Sequence, residues 1–82
     1  MRELGLKKNT KKYHNAIPDA VRGNTFFEFK NANYVSKTKQ FQNYEKSVNR
    51  GVRLNLYVRP WTVVSKSVRA LVEKSNGKIY RR

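Results

Sequence analysis

Val52, Leu54, Leu56 and Val58 alternate strictly with Arg53, Asn55, Tyr57 and Arg59. Successive side chains of a strand point to opposite faces, so this spacing predicts a strand over 52–59 with four aliphatics on one side. Pro60 cannot donate to a ladder and ends the strand. The period then changes: Val64, Val68, Leu71 and Val72 fall at i, i+4, i+7 and i+8, the apolar stripe of a helix. Ser65 or Thr62 can cap its start by accepting a backbone N–H. Asn76 and Gly77 can stop it in the left-handed conformation, with Lys74 near the negative end of the dipole. Asn49, Arg50 and Gly51 read as a turn, so Phe41–Val48 is expected to pair antiparallel with 52–59. The aliphatic strand face and the helix stripe are natural partners, and Phe41, Tyr44, Val48 and Trp61 would complete a thin core. The expected class is α+β: a small antiparallel β-hairpin packed on one C-terminal helix. The expected organisation is an extended basic arm over 1–35 and a ββα domain with a basic tail over 36–82.

The arm carries Lys7, Lys8, Lys11 and Lys12, followed at once by Tyr13 and His14. Ile17, Pro18 and Asp19, then Gly23 and Asn24, oppose a long helix, although a short one over Pro18–Arg22 can be drawn with Pro in its first turn. Phe26, Phe27 and Phe29 form an aromatic run that reads either as one short strand or as an anchor for the arm. At the other end, Ile79 and Tyr80 can form a last short strand within the basic tail.

A ββα unit of this size lies near the ~40-residue limit below which domains seldom fold without a staple. Cysteine is absent, which removes disulfides, thiol chemistry and thiolate metal sites together. The staple is therefore expected to be a macromolecule. Its sign follows from the charge: 19 Lys and Arg face 5 Asp and Glu, a net +14 in 82 residues. A body so charged repels itself and is stabilised by a polyanion. Basic residues interleaved with aromatics suit a nucleic acid, because cations neutralise phosphates and rings stack on unpaired bases. The candidate contacts are Lys7, Lys8, Lys11, Lys12, Tyr13 and Arg22 in the arm. Lys37, Lys39, Arg50, Arg53, Tyr57 and Arg59 join them around the hairpin, and Lys66, Arg69, Lys78, Arg81 and Arg82 from the helix onward. Trp61 reads as a lid over the strand–helix corner rather than a stacking platform.

Other chemistries find less support. Glu3, Asp19, Glu28, Glu45 and Glu73 form no close pair along the chain, so no carboxylate dyad is expected, and neither is a metal or cofactor. The four glycines are too scattered for a phosphate loop. His14 alone could serve a small ribonuclease, but beside a lysine cluster it suits a phosphate or base contact better. No run approaches the ~18 apolar residues of a membrane span, and surface binding to membranes would need a longer amphipathic basic helix. Residues 1–24 lack the apolar core of a secretory signal. They are Lys-rich and free of Ser, unlike a cleaved mitochondrial presequence, so nothing is expected to have been removed.

The C-terminal half resembles the bacterial-type ribosomal large-subunit protein family called L-twenty-eight. That family runs a short antiparallel sheet into a helix through a segment like V-S-A-R-A-L-K, followed by a basic G-K-V. Here Val64-Ser65-Lys66-Ser67-Val68-Arg69-Ala70-Leu71 precedes Asn76-Gly77-Lys78-Ile79, and Thr38-Lys39-Gln40-Phe41 is similar to its T-K-R-x-F stretch. The family's N-terminal T-G-K and its arm histidine are absent. The resemblance covers roughly 36–80. It implies a non-catalytic structural constituent of the large ribosomal subunit, with ribosomal RNA and neighbouring ribosomal proteins as partners and no small-molecule substrate. The departures, with abundant Asn, Lys, Phe and Tyr, imply a mitochondrial ribosome, the bacterial cytoplasm being the alternative. A small DNA-binding or nucleoid-type protein is the competing class, although no second helix precedes 65–75 as a helix-turn-helix requires.

Overall fold

The computed structural model describes residues 5–82. Its centre is a mixed four-stranded sheet built from β1 (Ala20–Arg22), β2 (Thr25–Lys30), β4 (Arg53–Val58) and β6 (Ile79–Arg81), in the order β1-β2-β4-β6. β1 and β2 are antiparallel, joined at Gly23 and Asn24; Gly23 has φ +58, a left-handed turn position. β2 runs parallel to β4, and β4 runs parallel to β6. Parallel neighbours need a crossover, which helices usually supply. Here they are α1 (Lys39–Val48) between β2 and β4, and α2 (Lys66–Lys74) between β4 and β6. Two further short strands, β3 (Tyr34–Val35) and β5 (Val63–Val64), pair parallel as a separate ribbon.

The expected hairpin over 41–48 and 52–59 is replaced by a helix and a strand. Phe41, Tyr44 and Val48 are spaced i, i+3 and i+7, which is helical, and all three are buried. The turn signal at Asn49–Gly51 ends α1, with Gly51 at φ +100. Nor is 20–35 an extended arm, since it supplies β1, β2 and β3; the helix drawn over Pro18–Arg22 is likewise β1. Before it, Tyr13 and Ala16 exchange backbone hydrogen bonds of 2.7 and 3.0 Å around His14 and Asn15, both at positive φ. That is the geometry of a primed two-residue turn.

Both helices lie on one face of the sheet. Phe26 of β2 and Leu54, Leu56 and Val58 of β4 pack there with Phe41, Tyr44 and Val48 of α1 and Val68, Leu71 and Val72 of α2. The opposite face carries Phe27, Phe29, Tyr57 and Tyr80 in a row across three strands. The row is stacked: 4.8 Å separates the ring centroids of Phe29 and Tyr57, and 4.6 Å those of Tyr57 and Tyr80.

The ends of α2 account for its length. The Ser65 side chain accepts from the Val68 N–H at 3.3 Å, three residues on, as an N-cap does. At the other end, Asn76 N–H donates to Glu73 O and Gly77 N–H to Val72 O, the paired bonds of a Schellman stop, with Asn76 at φ +63. Ser75 then ties this end to the sheet. Its buried Oγ accepts from Leu54 N–H at 2.9 Å and donates to Val72 O at 2.7 Å. A Cβ at Gly77 would overlap the Leu54 carbonyl. Ser75→Ala leaves a buried N–H without its partner and should cost about 1–3 kcal/mol. Gly77→Ala should cost a similar amount through overpacking, while Ser65→Ala should cost about 1 kcal/mol. Urea unfolding at fixed pH measures all three; a Gly77→Ala chain as stable as the parent would contradict the close approach.

Candidate functional site

The β1–β2 turn brings together two acids that lie nine residues apart. Ala20 pairs with Phe27, so Asp19 and Glu28 stand opposite each other one step further along. Asp19 N–H lies 3.3 Å from Glu28 Oε1, and Asp19 Oδ2 accepts from Phe29 N–H at 2.8 Å. Asp19 is half-buried. Glu28 is 1% exposed, on the strand face covered by α1. The expectation that no carboxylate pair would form is corrected here: a tight hairpin closes the sequence gap.

A polar network fixes the buried carboxylate. Lys30 Nζ lies 3.2 Å from Glu28 Oε2 and donates to Gln40 Oε1 at 2.9 Å, with its ammonium 5.8 Å from the Phe41 ring centre. The Tyr44 hydroxyl lies 2.9 Å from Glu28 Oε1 and 3.2 Å from Ile17 O, so its single proton serves one or the other. It accepts from Gln40 Nε2 at 3.1 Å. Gln40 and Tyr44, one helical turn apart on α1, therefore hold Lys30 and Glu28 from above. Burial pushes the Glu28 carboxyl above its ordinary range, and the neighbouring Asp19 adds to the shift; Lys30 and Tyr44 oppose it. Burial and Glu28 raise the Tyr44 phenol, which stays neutral. Among the described residues no group of three or more His, Asp or Glu could hold a metal. A Mg²⁺ ion needs fewer, since it commonly takes one or two carboxylates and completes its shell with water and substrate phosphates.

The predicted nucleic-acid contacts scatter around this site. Lys7, Lys8, Lys11 and Lys12 are exposed, with Lys11 Nζ 5.2 Å from the centre of the Tyr13 ring. Tyr13 is half-buried, its ring centroid 4.8 Å from that of Phe26, so it is committed to packing. Arg22 is exposed and donates to Gly5 O. Lys37 pairs with Glu45 at 2.8 Å, which holds the Glu45 carboxyl below its ordinary range. Lys39, Arg50, Arg53, Lys66, Arg69 and Lys78 are exposed, on the helices, on β4 or in loops. Arg81 donates to the carbonyls of Pro60 and Thr62. Arg59, Arg82, Phe29, Asn31 and Tyr57 line a cleft of about 220 Å³ at the end of β2 and β4.

Two aromatic assignments reverse. Tyr57 does point away from the helices, but Phe29 and Tyr80 cover its two faces, leaving none for a base. Trp61 is no core lid, because it is 62% exposed. Pro60 turns the chain out of the sheet, and the indole rides on the ribbon loop with Nε1 donating to Asn33 Oδ1 at 3.1 Å. The sequence did hold a signal for the acid pair: two short β-prone runs around Gly23 and Asn24 make a hairpin, whose register sets 19 against 28.

A raised carboxyl pKa means that folding favours the proton. Stability is fullest below the ordinary Glu value and falls as pH rises through the folded one. Glu28→Gln should therefore melt a few degrees higher than the parent at pH 7, with the difference shrinking toward pH 4. Differential scanning calorimetry across that range measures it, and a variant less stable at pH 7 would contradict the electrostatic account. Comparisons of the chain with protein-family models, with curated proteins and with solved structures return no match.

Proposed function

We propose that the chain binds nucleic acid and hydrolyses its phosphodiester bonds with a divalent cation at Asp19 and Glu28. The observation that carries this reading is the placement of the acids. In a chain of net charge +14 with five Asp and Glu, two of the five converge across the β1–β2 hairpin, and a lysine lies against the buried one, Glu28. Packing alone would favour an apolar residue at Glu28, since a buried carboxylate loses solvation and repels its neighbour. Residues that cost stability are characteristic of functional sites.

Asp19, in the bend just before β1, and Glu28 of β2 would hold the ion once the Lys30 ammonium moves off Glu28 Oε2, and the surrounding Lys and Arg would draw in the polyanion that two bare carboxylates repel. A bound divalent cation supplies a Lewis acid and a water of lowered pKa. Water adds to phosphorus, the P–O bond to one sugar breaks, and the leaving oxygen takes a proton. Lys30 would set its ammonium against the charge that builds on the phosphoryl oxygens. Gln40 and Tyr44 position Lys30 and Glu28 and need not touch substrate.

The spread of cations favours a second reading, a non-catalytic constituent of a ribosome, mitochondrial or bacterial, bound to ribosomal RNA. Lys66 and Arg69 on α2 are exposed far along the chain from the acid pair. Packed RNA would cover such sites in a way one active site does not require. Binding to duplex DNA as tight as to structured RNA would move this second reading toward a nucleoid-type protein. Either partner predicts a steep salt dependence, with several phosphates neutralised costing about 10³–10⁵ in affinity between 50 and 200 mM salt for duplex DNA.

Incubating the full chain with labelled DNA and RNA and with Mg²⁺ or Mn²⁺ separates the two. Hydrolysis predicts cleavage that EDTA abolishes. Asp19→Asn and Glu28→Gln should lower it at least about 10²-fold and Lys30→Ala comparably, while binding persists. Binding without cleavage under any divalent cation would remove hydrolysis and leave the ribosomal reading standing.

A further inference from the structure

Trp61, Tyr34 and Val63 are 62%, 58% and 59% exposed, in a chain whose other large aromatics are mostly covered. The three belong together: Tyr34 pairs with Val63 in the β3–β5 ribbon, and Trp61 lies in the loop that leads into β5. This loop is held on every side. Val63 N–H donates to Asn33 O at 2.9 Å, Thr62 Oγ1 donates to Ala32 O at 2.7 Å, and Arg81 donates to the Pro60 and Thr62 carbonyls. The indole N–H is spent on Asn33, so the ring seeks no outside acceptor and its orientation is set.

The surroundings carry one sign. Residues 31–44 and 46–72 contain no Asp or Glu. Arg59, whose Nε donates to Asn31 Oδ1 at 3.1 Å, stands at the head of the Trp61 loop. Exposed rings on a loop whose charged neighbours are Arg59 and Arg81 suit an anionic ligand with an aromatic face better than an apolar protein surface. The place matters as well. Tyr34 follows Lys30 by four residues, at most about 14 Å of extended chain, so the ribbon stands next to the end of β2 that carries Glu28 and Lys30.

We infer that Trp61, with Tyr34 beside it, is a stacking platform for an unpaired base of a bound nucleic acid whose phosphates are neutralised by Arg59 and its neighbouring cations. It takes single-stranded DNA or RNA in preference to duplex, because a paired base offers no free face. The platform rests on the proposed nucleic-acid binding and not on the hydrolysis; the stacking itself requires no metal.

Trp61 is the only tryptophan, so its fluorescence reports the contact directly. The full chain is titrated in EDTA, at physiological salt, with single-stranded DNA and RNA of about 12 nucleotides, within known single-strand site sizes. A blunt duplex of the same length and anionic phospholipid vesicles serve as the other arms, and the DNA and RNA arms identify the preferred sugar. Saturable quenching by the single strands and weak quenching by the duplex are expected. Trp61→Ala should weaken single-strand binding at least about fivefold, the lower end of what one stacked base contributes. Trp61→Phe should retain most of the affinity, which separates loss of stacking from loss of folding. Quenching by vesicles alone, equal affinity of Trp61→Ala, or equal binding of duplex and single strand would each overturn the platform. Quenching in EDTA with no cleavage in Mg²⁺ or Mn²⁺ keeps the platform and removes the hydrolysis; cleavage in Mg²⁺ or Mn²⁺ without quenching in EDTA removes the platform alone.

Discussion

The parallel ladder between β2 and β4 is the constraint from which the rest follows. Thr25–Lys30 and Arg53–Val58 pair along their whole lengths. A parallel pair cannot be closed by a tight turn, so the chain between them must cross a face of the sheet, and α1 does so. The crossover places Phe41, Tyr44 and Val48 over Phe26, Leu54 and Leu56 and makes one core from residues far apart in sequence. It also lowers Gln40 and Tyr44 onto the only buried carboxylate among the described residues. Fold and site thus share one element. The residues of α1 that fill the core are interleaved with those that hold Glu28 and Lys30.

That arrangement explains why a costly group is tolerated. Glu28 loses solvent and faces Asp19, and both effects disfavour its charge. Lys30 and the Tyr44 hydroxyl offset part of this, leaving no buried side-chain polar atom without a partner among the described residues. The network is satisfied but not neutral in design, because an apolar residue on β2 would pack without it. The outer sheet face shows the opposite economy. Phe27, Phe29, Tyr57 and Tyr80 satisfy one another ring against ring, while the exposed aromatic surface is concentrated at Trp61 and Tyr34.

Much of the C-terminal half was legible in the sequence, and for a local reason. The alternation at 52–58 and the stripe at 64–72 are periodic, and capping chemistry at Ser65 and Asn76 marks the helix ends. Phe41–Val48 misled because a turn-like Asn49-Arg50-Gly51 beside a strand invites a hairpin, and the helical spacing of 41, 44 and 48 then lost to it. The N-terminal third was harder. β1 has three residues and β2 reads as an aromatic run without alternation, since its outward Phe27 and Phe29 are as apolar as its inward Phe26. The acid pair was hidden for a related reason: a dyad made across a hairpin leaves no short spacing to read. Exposure of Trp61 is a tertiary fact, set by where Pro60 turns the chain, and no residue pattern near it marks the direction.

The account comes down to whether Asp19 and Glu28 are placed together to hold a divalent cation against a phosphate. Electron paramagnetic resonance of Mn²⁺ titrated into the full chain, with a non-cleavable phosphorothioate oligonucleotide bound, tests this without relying on turnover. One bound Mn²⁺ per chain, lost in both Asp19→Asn and Glu28→Gln while the oligonucleotide stays bound, is the predicted result. Mn²⁺ that stays free in the parent, or binds equally in the two variants, would contradict it.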